Sequence, residues 1–141
     1  MPTSHANATW EGGLKGGNGK FEGKSGIISG AYSFGTRFGG EAGTNPEELL
    51  AAAEAACYSM ALAAGLEAAG TPAQSVHTEA ACTVEPVEGG FKISTMKLKV
   101  NAKVPGVSKD AFQKAAQDTK SGCPVSKALA GVDISVDATL D

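Results

Sequence analysis

The chain has 141 residues, a formal net charge of −3 and three cysteines, enough length for one domain with a real core and no need of staples. Its lysines and arginines are scattered and form no basic footprint of a nucleic-acid binder. Neither the opening "MPTSHANATWEGG" nor any later stretch is read as a leader or as the roughly 20 apolar residues that span a bilayer, so the expectation is a single cytoplasmic domain over residues 1–141.

In chain order, "ATWEG", "GKFEG" and "GIISGAYSF" are short apolar, aromatic and β-branched segments broken by glycine, the pattern of a strand meander. The stretch "NGKFEGKS" nearly imitates a phosphate loop, but its first position is Asn18 and the adjoining "GIISG" has strand rather than helix character, so a turn is the better reading. From Asn45 the pattern changes to a long helix, "NPEELLAAAEAACYSMALAAGLEAAG". Asn45 serves as N-cap, Pro46 takes the first helical position, two acids occupy the first turn and Gly70 is the stop.

"SVHTEAACTVEP" then alternates Val76, Thr78, Ala80, Cys82 and Val84 on one face, as a strand does. The next strand slips phase between Ile93 and Met96, which predicts a bulge, and resumes with Met96, Leu98, Val100, Ala102 and Val104 inward. A helix capped by Ser108 comes next, then a short one from "CPVSKAL", and a last strand with Val132, Ile134, Val136, Ala138 and Leu140 on one face. Strands, long helix, strands, helices and strand make an α+β domain rather than repeated βαβ units.

Three cysteines at 57, 82 and 123 give neither a disulfide framework nor a CxxC pair, and His5 and His77 are too isolated for a zinc site. Cys82 on an apolar strand face reads as a small hydrophobe. Cys57, among alanines on the long helix, fits a core residue and a pocket thiol equally. Cys123 precedes a proline, which places it at a helix N-cap, where free amide groups favour a thiolate.

"GTNPEELLAAAEAACYSMAL" together with "SGCPVSKAL" resembles the OsmC/Ohr family of thiol-dependent peroxidases, and "YSFGTRFGGEAGTNPEEL" extends the likeness upstream. Arg37 in "TRFGG" and Val125 after the Cys-Pro pair are similar to the osmotically inducible protein C branch rather than the organic hydroperoxide resistance branch. The resemblance implies an OsmC-like fold, with curved antiparallel sheets wrapped around long central helices in an intertwined homodimer.

The same resemblance implies that Cys57 is the peroxidatic thiol and Cys123 the resolving one. Arg37 would hold Cys57 as thiolate, and Glu47, with Glu48 as its neighbouring alternative, would orient Arg37. The implied activity is reduction of organic hydroperoxides and hydrogen peroxide through a Cys57 sulfenic acid and a Cys57–Cys123 disulfide. It needs no prosthetic cofactor and an external dithiol, of lipoyl type in the family, with neither nucleic acid nor membrane as partner. A redox sensor without rapid turnover and a structural dimerisation protein are the competing readings.

Helix geometry adds one expectation. Glu47 and Cys57 are ten residues apart on one helix, about 15 Å along its axis at 1.5 Å per residue, so one arginine could hardly reach both. A two-fold dimer bringing Glu47 of one copy beside Cys57 of another is the simplest solution. Leu49, Leu50, Met60 and Leu62, with Phe34 and Phe38, are candidate walls for the organic part of a substrate.

Overall fold

A computed structural model describes all residues, Met1–Asp141. The chain divides into two compact units, Met1–Glu48 and Leu49–Asp141.

In the first unit, β1 (Ala6–Glu11), β2 (Asn18–Gly23) and β3 (Ser29–Tyr32) form an antiparallel meander in that order. The imitation phosphate loop is thus largely β2. The Tyr32 ring meets those of Trp10 and Phe21 at centroid distances of 5.5 and 6.0 Å, tilted by 51° and 47°, within the range of favourable aromatic contacts. A Cβ at Gly19 would fall 2.6 Å from the Tyr32 ring and 2.8 Å from Trp10, so the rings close over this residue only because it lacks a side chain.

Of the expected strand "GIISGAYSF" only Ser29–Tyr32 is strand, and Phe34 at its end opens a one-turn helix, α1 (Phe34–Phe38). Ser33 Oγ accepts from the Thr36 N–H and Thr36 Oγ1 accepts from the Ser33 N–H, a reciprocal cap that starts a helix too short to show periodicity.

Helix α2 (Pro46–Ala68) begins where expected. Asn45 Oδ1 accepts from the Glu48 N–H, while Asn45 Nδ2 donates to the Thr36 carbonyl and so ties α2 to α1. Its end is a Schellman motif: the Thr71 N–H reaches Leu66 O and the Gly70 N–H reaches Glu67 O, with Gly70 at φ 89°.

By length and composition α2 could cross a membrane, which corrects the expectation that no stretch approaches that limit. Alanine is the reason, since it counts as apolar without supplying bulk. Glu54, Tyr58, Leu62 and Leu66, spaced four residues apart, form the stripe that this chain buries.

In the second unit, β4 (Ser75–Val87) and β5 (Gly90–Lys103) form a long antiparallel hairpin. Its register shifts where Thr83 faces Thr95 and Val84 faces Ile93. Ser94 is thus the extra residue of the expected bulge. The chain then runs through α3 (Lys109–Gly122), capped by Ser108, and α4 (Pro124–Ala128) to β6 (Asp133–Leu140).

β6 pairs parallel to β5, so this sheet is mixed rather than purely antiparallel. The physical reason is the α3–α4 crossover, which returns the chain to the same end of the sheet. Tyr58, Leu62 and Leu66 from α2, the inward face of β5, Phe112 and Ala116 from α3 and Ala138 from β6 share the core. Tyr58 adds a hydrogen bond from its hydroxyl to Ala116 O at 2.8 Å.

Candidate active site

The first unit positions a charge pair. Arg37 stands in the last turn of α1 and Glu47 in the first turn of α2, so the caps described above set their separation. The Arg37 Nη2 donates to Glu47 Oε1 at 2.8 Å and its Nε donates to the same oxygen at 3.0 Å and to Oε2 at 3.3 Å. This forked, charge-assisted contact fixes the guanidinium plane, which also lies 5.1 Å from the Phe38 ring centroid. Glu47 is only 5% exposed, whereas Glu48 is exposed, so Glu47 is the acid that meets Arg37.

The second unit positions the sulfurs. Cys57 on α2 and Cys123 at the α3–α4 junction bring their Sγ atoms to 2.7 Å although both are free thiols, just beyond the length of a disulfide bond, about 2.05 Å. Cys123 is buried and Cys57 half-buried.

Cys123 is the N-cap of α4, as expected, but also the C-cap of α3, and its side chain makes no cap hydrogen bond. The two helix ends therefore act on it with opposite sign. The free amides of α4 serve the other sulfur. Pro124 has no N–H, and the N–H of Val125, the next residue, is directed to Cys57, where it favours the thiolate. Against it, burial first, then the hydrogen bond with Cys123 and electrostatic repulsion from Cys123 and Glu54 together push the Cys57 thiol above its ordinary pKa. None of these groups is a cation.

The sequence reading gave no role to Glu54 and Ser126, which meet beside the sulfurs: Ser126 Oγ donates to Glu54 Oε1. A signal existed, since Glu54 is the lone charge in the run "LLAAAEAAC" and stands three residues from Cys57. Among the candidate pocket residues Leu62 is fully buried in the core and cannot line a substrate site, while Leu49 and Met60 are exposed. No cluster of three or more His, Cys, Asp or Glu side chains could hold a metal ion.

The sequence pattern of the OsmC-like proteins matches residues 39–137, a span that holds Glu47, Cys57 and Cys123 and begins just after Arg37. The chain belongs to this family. Its relatives include Peroxiredoxin OsmC of Escherichia coli, 46% identical over 123 residues covering 86% of each chain.

Among solved OsmC-like structures, the organic hydroperoxide resistance protein OhrB of Bacillus subtilis superposes with a TM-score of 0.71 at 25% identity, over 96% of this chain and 98% of that one. An organic hydroperoxide resistance protein from Elizabethkingia anophelis gives 0.75 at 24% identity, over 100% and 98%, and speaks for the fold alone.

Proposed function

We propose that this protein is a cysteine-based peroxidase that reduces organic hydroperoxides, and hydrogen peroxide with them, in defence against oxidative stress. The observation that carries the reading is the 2.7 Å approach of Cys57 and Cys123 across 66 residues of sequence, in a chain similar to a named peroxiredoxin.

In this reading the Cys57 thiolate attacks one oxygen of the peroxide, the O–O bond breaks, and the leaving alkoxide takes a proton to become an alcohol. Cys57 is left as a sulfenic acid. Cys123 displaces its hydroxyl as water and closes the Cys57–Cys123 disulfide, which an external dithiol, such as a lipoyl group, reopens by exchange. No prosthetic cofactor takes part. A dithiol cycle of this kind suits a reducing compartment, and we place the protein in the cytoplasm.

A nearby cation favours a thiolate, and the surroundings of Cys57 within its own unit hold none and on balance push its pKa up. Arg37 is the candidate, oriented by Glu47. Because Glu47 lies ten residues before Cys57 on α2, we assign the Arg37–Glu47 pair of each site to a second copy of the chain. What supports a homodimer is α2 itself, which is apolar around its circumference yet leaves Leu49 and Met60 exposed, Met60 at 78%. We read residues 1–141 as a single OsmC-like domain completed by this pairing.

The raised Cys57 pKa taken alone would suit a slow redox sensor, so turnover is the discriminating experiment. Peroxide consumption with a dithiol donor should be catalytic in the wild type, absent in Cys57→Ser and short-lived in Cys123→Ser as Cys57 over-oxidises. Stoichiometric consumption that stops after one equivalent would favour the sensor.

A further inference from the structure

Glu54 is fully buried, and its Oε2 has no hydrogen-bond partner. It precedes Cys57 by three residues on α2, so the two share a face of the helix. Ser126 lies three residues beyond Cys123 on α4 and is buried as well. Two contacts therefore cross side by side from α2 to the α4 segment: sulfur to sulfur, and Ser126 Oγ to Glu54 Oε1.

A carboxyl taken out of water is costly, and apolar residues usually pack as well or better in its place. The fold puts Tyr58, Leu62 and Leu66 at the next positions of the same stripe, so packing alone does not call for an acid at 54.

α4 supplies the reason for one. It has five residues, too few to hold a helix unaided. Its first residue comes directly after Cys123, whose backbone is extended at φ −63° and ψ 131° between the two helices. Where the Cys123 sulfur lies thus depends on what anchors α4, and the Ser126–Glu54 hydrogen bond is an anchor on the same helix that carries Cys57.

We propose that Glu54, acting through Ser126, is a positioning residue of the resolving step, a latch that keeps α4 docked on α2 so that Cys123 remains within reach of oxidised Cys57. The proposal rests on the peroxidase roles given above for the two cysteines. In that step the Cys123 sulfur forms the S–S bond as the S–O bond of the Cys57 sulfenic acid breaks. The departing hydroxide combines with the proton lost by Cys123 to give water. The competing fate is attack of the sulfenic acid on a second peroxide, which leaves sulfinic acid. A latch acts on the ratio of these two products.

The test treats the reduced wild type, Glu54→Ala, Glu54→Gln, Ser126→Ala and the Glu54→Ala/Ser126→Ala double variant with excess organic hydroperoxide. Mass spectrometry reads the ratio of Cys57–Cys123 disulfide to Cys57 sulfinic acid, and thermal melts confirm folding. Loss of one buried hydrogen bond should lower the ratio about tenfold in Glu54→Ala and in Ser126→Ala. The double variant should be no worse than the poorer single one, and Glu54→Gln, which keeps an acceptor oxygen, should recover most of the wild-type ratio.

Should Glu54→Ala fail to fold, Ser126→Ala, which removes only a hydroxyl, carries the comparison. Wild-type ratios in a folded Ser126→Ala protein, or additive losses in the double variant, would overturn the latch and leave the peroxidase reading intact. A wild type that yields neither product would overturn the peroxidase reading itself.

Discussion

Arg37 and Glu47 are ten residues apart and meet through two locally capped segments, whereas Cys57 and Cys123 are 66 residues apart and meet only because α3 and α4 fold back on α2. The first pair is charged and partly open to solvent. The second lies among buried groups, where Val125 donates one amide to Cys57 and burial, Cys123 and Glu54 all oppose the thiolate. Bringing two sulfurs together therefore does not by itself activate either of them, and the proposed mechanism leaves activation to the separately built Arg37–Glu47 pair.

The sharpest way to break this division is to remove the cation. Arg37→Ala should lower peroxide turnover by about a hundredfold, the scale of losing one preorganised electrostatic partner, while the disulfide still forms under a strong thiol oxidant. Arg37→Lys should recover little of this, because an ammonium does not reproduce the forked contact with Glu47. Equal loss of both reactions would show that Arg37 supports the fold and not the chemistry.

A smaller effect separates the two acids. Glu54 pushes the Cys57 thiol up, so Glu54→Gln should move the pH midpoint of Cys57 alkylation to lower pH. Glu47→Gln loosens Arg37 and should move the midpoint to higher pH, with about a tenfold loss of turnover. Shifts of the same sign would erase the proposed contrast between these carboxyls.

The smallest effect belongs to the core behind the sulfurs. Burial first, then Cys123 and Glu54, push the Tyr58 hydroxyl far above its ordinary pKa. A folded-state pKa above the unfolded value of about 10 means the stabilising contribution is whole below pH 10 and is lost as pH rises beyond it. The melting temperature should therefore fall in strong alkali. Tyr58→Phe, which also loses the bond to Ala116 O, should cost about 1 kcal/mol at neutral pH and flatten that alkaline fall. A fall of the same steepness in Tyr58→Phe would assign it elsewhere.

Much of this architecture was legible because its signals are local. Asn45, Pro46 and Gly70 bracket α2, Ser108 opens α3, and the phase slip before Met96 marks the bulge at Ser94. The short helix α1 was hidden because five residues carry no period, and only the Ser33 and Thr36 cap reveals it. Periodicity assigns faces and not neighbours, so the parallel partnering of β6 with β5 could not be read from the alternation of Val132 to Leu140. The same limit concealed Ser126 and Glu54, which are 72 residues apart and polar on faces where the pattern predicts only packing.

In the proposed mechanism Cys57 and Cys123 form a peroxide-driven redox couple while Cys82, on its strand face, does not take part. Intact mass and peptide mapping of the reduced protein after one equivalent of an organic hydroperoxide test it directly. The expected result is a loss of two hydrogen masses, a single Cys57–Cys123 linkage and a Cys82 thiol that still alkylates. Three unchanged thiols, or a linkage through Cys82, would contradict it.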